Sequence, residues 1–367
     1  MSPLKKFQQA LNNQNIDLSI ITNPQQINYL ISYNSEPHER ILILFVSNSK
    51  AVLFTPSLES EDAKQIVGIP VHDYEDGMDP WQVIKETVLP HFHPVNTVGI
   101  DHETVTVDKY LQIQSILPNA HCQDIGSLIN QIKVIKSDVE YDALMEAGKI
   151  ADRALSIGID SLKVGITETE VVAKIEFEMK KLGVQGMSFP TMVLFGDHAG
   201  SPHGNVSNRQ LKENEFVLFD LGVIYNGYAS DMTRTVFFGS ESSITDRQKE
   251  IYQTVLNAQQ TAQEEVKPGM AASELDQISR QIIDDAGYGE YFIHRLGHGI
   301  GQTAHEFPSI DSSNHSILET GMSFSIEPGI YIPGEIGIRI EDCVYLTEHG
   351  AQSFTHFDKS LKFIDVR

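Results

Sequence analysis

Asp220, Asp231, Glu327 and Glu341 are acids set into runs that otherwise alternate like β-strands. An apolar residue would pack better at each position, so the carboxylates have to be explained by chemistry or by charge pairing. In FDLGVIYNGYASDMTRT, residues 219–235, Asn226-Gly227 has the composition of a two-residue hairpin turn. That turn sets Tyr225 opposite Tyr228, Gly222 opposite Asp231 and Asp220 opposite Thr233. Side chains two apart on a strand share a face, so Asp220 and Asp231 become diagonal neighbours, roughly 7 Å apart by Cα. Glu327 and Glu341 repeat the arrangement. Their midpoint is Gly334 in the turn-rich YIPGEIGI, and a hairpin centred there sets them opposite each other.

Four unneutralised carboxylates on one half-buried surface would repel one another, each at a cost of several kcal/mol, on the order expected for unpaired buried charge. A cation has to offset that cost. Pairing with Arg234 and Arg339 is one solution and a metal is the other. Oxygen donors joined by imidazole, without thiolate, fit a two-metal site of Mn, Co, Fe or Zn. HRLGHGIGQTAHEFP supplies the nitrogen: His294, His298 and His305 fall within twelve residues, and glycines flank His298, where backbone or metal can approach closely.

The elements that must position these groups fall into two regions. Residues 1–125 alternate strand-like runs (DLSIIT, ILILFV, KAVLFT, TVGID) with helical ones, the rhythm of a small α/β domain. A connector is expected at 126–137 and a second domain at 138–367. That second domain opens with two S/T-x-x-E capping boxes, Ser137 with Glu140 and Thr167 with Glu170, each starting a helix; Thr245 with Gln248 starts another. The order helix-helix-strands then occurs twice. KVGITETEVV from Lys163 resembles KPGMAASELD from Lys267, and LKENEFVLFDLG from Leu211 resembles LETGMSFSIEPG from Leu318. Two related halves facing each other across a pseudo-twofold follow from this repeat.

Composition closes off other classes. Fifty acidic against 27 basic side chains give a formal charge of -23, which would repel a phosphate backbone and argues against nucleic acid as a partner. Cys122 and Cys343 are far apart in sequence and outside metal-ligand spacing, which suits a reducing compartment. No apolar run approaches the length of a membrane span, and MSPLKKFQQALNNQNIDL lacks the apolar core of a signal peptide. No membrane partner and a cytoplasmic location are the expectations.

Asp220, Asp231, His298, Glu327 and Glu341, with SPHG, GHGIG, HEFP, IEPG and IRIED around them, resemble the metal site of the pita-bread metallopeptidases. That family includes methionine aminopeptidases, Xaa-Pro aminopeptidases and Xaa-Pro dipeptidases (prolidases). The resemblance covers the chain from about Asp138 onward, and the separate N-terminal α/β domain resembles the prolidase and Xaa-Pro aminopeptidase branch. It implies an α+β catalytic domain with a pseudo-twofold antiparallel sheet flanked by helices. It further implies two divalent ions, Mn first with Co, Zn or Fe as alternatives, bridged by Asp231 and Glu341. Asp220 would hold one ion, His298 and Glu327 the other, and Glu327 would accept the nucleophile's proton. His203 and His305 would donate to the substrate carbonyl. Arg339 would bind either the substrate's carboxylate or a metal ligand, with His294 a weaker candidate for lining the site. Glu36 or His38, in SEPHER, would read the substrate's amino group across a homodimer. The expected substrate is a small peptide with proline second, most simply an Xaa-Pro dipeptide. An Xaa-Pro aminopeptidase acting on longer peptides, or a non-catalytic binding protein on the same fold, remain the alternatives.

Overall fold

The computed structural model describes residues 1–92, 94–202 and 204–366. The chain divides into two compact units, residues 1–133 and 134–367.

Among the described residues of the N-terminal unit, six strands form one sheet in the order Val71–Tyr74, Ala51–Pro56, Ile43–Val46, Leu18–Ile21, Thr97–Ile100, His121–Asp124. Pairing is antiparallel around Ile43–Val46 and parallel toward both edges. The run ILFV alternates its side chains between two cores: Ile43 and Phe45 pack on one face, Leu44 and Val46 on the other. A sheet covered on both faces needs such continuous apolar strands, which is why alternation is absent from them. The expected connector differs. Gly126–Val134 is a helix, and Leu128 and Ile129 are buried in the N-terminal core with Ile132 packed against it. Apolar residues one and four apart form a helical stripe, and nine residues were too short for it to stand out.

In the C-terminal unit all three capping boxes form. Glu140 accepts the Ser137 N–H at 2.7 Å, Glu170 that of Thr167 at 2.8 Å and Gln248 that of Thr245 at 2.9 Å. They open helices Asp138–Asp160, Glu168–Lys181 and Asp246–Glu265; Ala272–Asp285 follows. The first pair of helices packs on one core, the second pair on another. Between them runs a largely antiparallel sheet in the order Glu306–Ile310, Gly297–Gly299, Ser323–Ile326, Glu341–Thr347, Met232–Phe238, Glu215–Leu221, Met192–Phe195.

The internal repeat is visible as matched backbone bonds. Gly165 N donates to Leu211 O and Leu211 N to Ile166 O, both at 2.9 Å; Gly269 N donates to Leu318 O at 2.9 Å and Leu318 N to Met270 O at 2.8 Å. Both glycines have φ near +90°, at +82° and +95°, a conformation in which a side chain would be strained. The K-x-G and Leu positions that the two halves share are therefore the residues that tie each half's helix entry to its sheet. The halves meet where Met232 pairs with Asp342 and Thr233 with Glu341.

Candidate metal centre

That seam is where the acids lie. The first hairpin has the register its Asn-Gly turn implies: Tyr225 pairs with Tyr228 and Asp220 with Thr233. In the second, Ser325 pairs with Cys343, Ile326 with Asp342 and Gly329 with Arg339, which leaves Glu327 and Glu341 at the same level between them. Because Glu341 also pairs with Thr233, itself opposite Asp220, the two hairpins deliver their acids to neighbouring points on one surface.

Asp231, His298 and Glu341 converge most tightly, with one ligating atom from each within 4.8 Å of the others. They are only 5%, 4% and 1% exposed, so water cannot solvate their charge. His298 Nε2 lies 3.6 Å from Asp231 Oδ2 and 3.1 Å from Glu327 Oε1. Its Nδ1 is 3.1 Å from the Gly299 carbonyl, and since a carbonyl only accepts, Nδ1 carries a proton and Nε2 is the ring nitrogen that faces the acids. A ligating histidine is commonly oriented this way. Asp220 is held apart from the tight cluster: Arg339 Nη2 binds its Oδ2 at 2.5 Å.

One atom tests whether the site suits a cation. Glu341 Oε2 accepts from Thr233 Oγ1 at 2.7 Å, whereas Glu341 Oε1 is buried with no hydrogen-bond donor. An orphaned carboxylate oxygen beside a second buried carboxylate and an imidazole is a ligand set suited to a cation. Charge points the same way. Four carboxylates face one arginine, and Arg234, the other candidate counter-charge, turns instead to Asp342 at 2.6 Å. The residues fit divalent metal.

The electrostatics record the imbalance. Burial, with Glu341, Asp220 and Glu327 nearby, pushes the Asp231 carboxyl well above the usual carboxylate range. Burial, followed by Glu327 and Asp220, does the same to Glu341. Burial also raises Asp220, with Arg339 opposing. Glu327 is buried too, but the hydrogen bond and charge of His298 outweigh that and hold it down to about 2. Glu327 is therefore ionised at neutral pH.

Around the cluster, Arg339 spends its donors within the protein. Nε reaches Thr233 Oγ1 at 3.0 Å, Nη1 reaches Tyr331 Oη at 2.7 Å and Nη2 reaches Asp220. Of the two roles open to Arg339 in the sequence, the geometry has it on a candidate ligand. His294 Nε2 lies 3.0 Å from Tyr331 Oη. The exposed His305 stacks edge-on against His298, ring centroids 4.2 Å apart. His203 lies outside the described residues. His38 sits in the N-terminal unit, exposed, at φ +55° on the loop before Ile43–Val46.

Sequence reasoning missed Thr233, Ser325 and Tyr331. Ser325 Oγ donates to Glu327 Oε1 at 2.9 Å and accepts the His298 N–H at 2.9 Å. Their signal was period two: Thr233 follows Asp231 by two and Ser325 precedes Glu327 by two, polar positions on the same strand face as the acids. The glycines beside His298 also have a more specific job than expected. A methyl on Gly297 would lie 2.0 Å from the Ser325 carbonyl oxygen, and one on Gly299 2.2 Å from that of Phe307, so both admit neighbouring backbone. Gly297→Ala is expected to displace His298 and weaken metal affinity about 10–100-fold, read by metal titration. Gly68→Ala, where nothing lies within 4 Å of the added methyl, should leave affinity unchanged.

Comparison with known proteins agrees with this geometry. Residues 142–348 match the profile of Metallopeptidase family M24, and residues 3–135 match that of the Creatinase/Prolidase N-terminal domain. The chain is 44% identical to an Xaa-Pro dipeptidase of Lactobacillus helveticus over 99% of each chain. The fold is similar to that of the prolidase from Pyrococcus horikoshii OT3, with TM-score 0.89, 33% identity and coverage of 98% of this chain and 99% of that one. It is also similar to the X-Pro aminopeptidase from Thermotoga maritima MSB8, with TM-score 0.86, 31% identity and coverage of 95% and 98%. With its buried Asp–His–Glu cluster inside the matched segment, the chain belongs to metallopeptidase family M24.

Proposed function

We propose that the protein hydrolyses the peptide bond preceding proline in Xaa-Pro dipeptides, using two divalent ions held by Asp220, Asp231, His298, Glu327 and Glu341, with manganese the first candidate. The observation that carries this reading is the donor-less Glu341 Oε1 in a buried cluster with more negative charge than Arg339 can balance. When bound, such ions acidify a water and polarise the scissile carbonyl. The remaining work falls to the chain's own side chains. Glu327, ionised and fixed by Ser325 and His298 through Oε1, accepts the nucleophile's proton. His305, exposed beside His298, donates to the carbonyl oxygen as negative charge develops there, and His203 is assigned the same task by resemblance. Arg339 keeps Asp220 in place through its Nη2 and is itself held by Thr233 Oγ1 and Tyr331 Oη.

Support for the substrate comes from the Lactobacillus helveticus and Pyrococcus horikoshii relatives named above. Physical chemistry supplies a rationale. The imide nitrogen has no N–H and the ring fixes φ, so a peptidase that grips the scissile N–H cannot hold it. Phe189, Phe195 and Tyr228 are the aromatic candidates for an apolar wall against the ring; Phe195 is wholly buried in the core, which leaves Phe189 and Tyr228 for that part. A cytoplasmic homodimer belongs to the same reading. Cys122 and Cys343 are free thiols, and among the described residues no helix is long and apolar enough to cross a membrane.

The likeness to the Thermotoga maritima X-Pro aminopeptidase supports a second reading, removal of the N-terminal residue from longer peptides. Metal-reconstituted enzyme assayed on Xaa-Pro and Xaa-Pro-Yaa-Zaa separates them. Turnover at least about tenfold faster on the dipeptide, a difference of about 1.4 kcal/mol, is the expected result. Preference for the tetrapeptide moves the assignment to the aminopeptidase. No turnover of either with Mn, Co, Zn or Fe sinks both and leaves a binding protein.

A further inference from the structure

The C-terminal unit buries an ion pair that the reaction above does not use. Lys136 Nζ lies 3.0 Å from Glu306 Oε2, with side chains 2% and 4% exposed. Such a pair surrenders its hydration on both sides, and an apolar pair of similar volume would often hold a fold as well or better. What distinguishes this pair is what else Glu306 does. Its Oε1 accepts the N–H groups of Gln302 at 3.1 Å and Thr303 at 3.4 Å. Thr303 Oγ1 in turn donates to the His305 carbonyl at 3.1 Å, and Gly301 N donates to Thr303 O at 3.1 Å. The turn is wound so closely that a Cβ on Gly301 would lie 2.4 Å from Glu306 Oε2. Residues 301–306 thus fold around one carboxylate, and His305, edge-on to His298, stands at the exit of that turn.

Lys136 is itself anchored. Its N–H donates to Gly321 O at 2.8 Å, Ile135 pairs with Met322, and Ser137 is the N-cap of helix Asp138–Asp160. The ammonium group is a fixed point against which the carboxylate can be set.

We propose that Lys136 is a positioning residue for His305: it holds Glu306 in the orientation that winds the 301–306 turn and so sets the His305 ring against His298. This rests on the peptidase reading for its kinetic consequence, though not for its geometry. Without the ammonium, the buried carboxylate gains by turning toward water and releases the N–H groups of Gln302 and Thr303. A neutral glutamine at 306 has no such incentive and still offers an acceptor oxygen.

The test uses Lys136→Met, Lys136→Met with Glu306→Gln, and Lys136→Met with Glu306→Leu, in the metal-loaded full-length chain. For Lys136→Met, kcat on an Xaa-Pro dipeptide should fall about 10–100-fold, the range expected when a reacting group is misplaced by about 1 Å. KM should change less than threefold and bound metal per chain should not change. The Gln double variant should return to within about threefold of wild type, and the Leu double variant, equally uncharged but without an acceptor, should stay slow. A second readout needs no turnover: the His305 ring proton resonances in metal-free protein, assigned against His305→Asn, carry the ring-current shift of His298. They should move toward free-histidine values in Lys136→Met and return in the Gln double variant. An unchanged kcat with a lowered Tm would reduce the pair to a structural one and overturn the inference, as would equal kcat in the two double variants, which also decide the matter if Lys136→Met fails to fold. A wild type inactive on every Xaa-Pro peptide would sink the peptidase reading, and the His305 resonances would then decide the positioning role alone.

Discussion

Asp231→Asn is expected to lower kcat/KM on Xaa-Pro dipeptides by about a thousandfold or more, and at the same time to stabilise the metal-free protein. The loss follows from the position of Asp231: its Oδ2 is 3.6 Å from His298 Nε2, and it shares a 4.8 Å cluster with Glu341. An amide offers one weaker acceptor oxygen and no charge, so it cannot help hold two cations. Lewis-acid stabilisation of the transition state is worth several kcal/mol, and about 4 kcal/mol is a factor of about a thousand. The gain follows from the same facts with the opposite sign. In metal-free protein the Asp231 carboxyl is pushed up by burial and by Glu341, Asp220 and Glu327, so the folded state holds a proton that the unfolded state releases more readily. Metal-free stability therefore falls as pH rises from the ordinary carboxylate range toward the raised folded value. Asparagine has no proton to lose, so the substitution removes part of that slope. At pH 8 the metal-free variant should melt higher than metal-free wild type by about 2–4 °C for each kcal/mol recovered, with the gap closing toward pH 5. Metal-loaded wild type should remain the most stable form. Elemental analysis, dipeptide hydrolysis and paired melting curves check all three. An Asp231→Asn enzyme that kept wild-type activity and metal content would remove Asp231 from the site.

Most of the centre was legible in the sequence because strand geometry is rigid. Once Asn226-Gly227 fixes one turn and Gly334 marks the other, period-two alternation determines which residues share a face, and the observed registers follow. The pseudo-twofold was legible for a related reason: Gly165 and Gly269 must adopt a backbone conformation that favours glycine, so both halves retain it. The groups that sequence did not disclose act across distances that spacing cannot encode. Lys136 and Glu306 are separated by 170 positions, and Thr233 reaches Glu341 across 108. Neither Lys136 nor Thr233 stands out by type, and only the folded sheet brings each to its partner. The helix at Gly126–Val134 was obscured differently, since nine residues give too few turns for a stripe to separate from chance.

The groups that hold the candidate ligands share a pattern. Thr233 binds Glu341 and Arg339, Ser325 binds Glu327 and the backbone of His298, and Arg339 binds Asp220. Every candidate ligand except Asp231 is thus oriented by a neutral hydroxyl, a guanidinium or a backbone carbonyl whose own place is set by the sheet. The cluster leaves one buried carboxylate oxygen without a donor, so the fold spends packing and hydrogen bonding elsewhere to keep mutually repelling groups aligned. Stability of the C-terminal unit should then depend most on the residues directly beneath the acids.

Arg234→Met should be the most destabilising substitution beneath that surface, costing about 3–5 kcal/mol. Arg234 is 1% exposed, and its guanidinium donates to the carbonyls of Thr233 at 2.9 Å and Phe357 at 2.8 and 3.2 Å, to that of Glu341, and to Asp342 Oδ1 at 2.6 Å. Asp342 is fully buried and also takes Lys359 Nζ at 2.5 Å and Thr355 Oγ1 at 2.7 Å. Burial alone would raise its carboxyl, but Arg234 and Lys359 outweigh it and hold the group below its usual range. A folded value below the unfolded one contributes stability that is present above the ordinary carboxylate range and is lost as pH falls through the depressed value. Methionine fills much of the volume yet supplies none of the donors, so three carbonyls each lose the guanidinium and one counter-charge is gone from Asp342. Because one of those carbonyls belongs to Glu341, metal content should fall along with stability. Arg234→Lys restores the charge without the planar fork and should recover only part of the loss. The urea midpoint, followed by near-UV circular dichroism at pH 7, is expected to drop by about 1–2 M for methionine and by less for lysine. A shift equivalent to under 1 kcal/mol in Arg234→Met, with metal content intact, would mean that the sheet holds Glu341 without help from below.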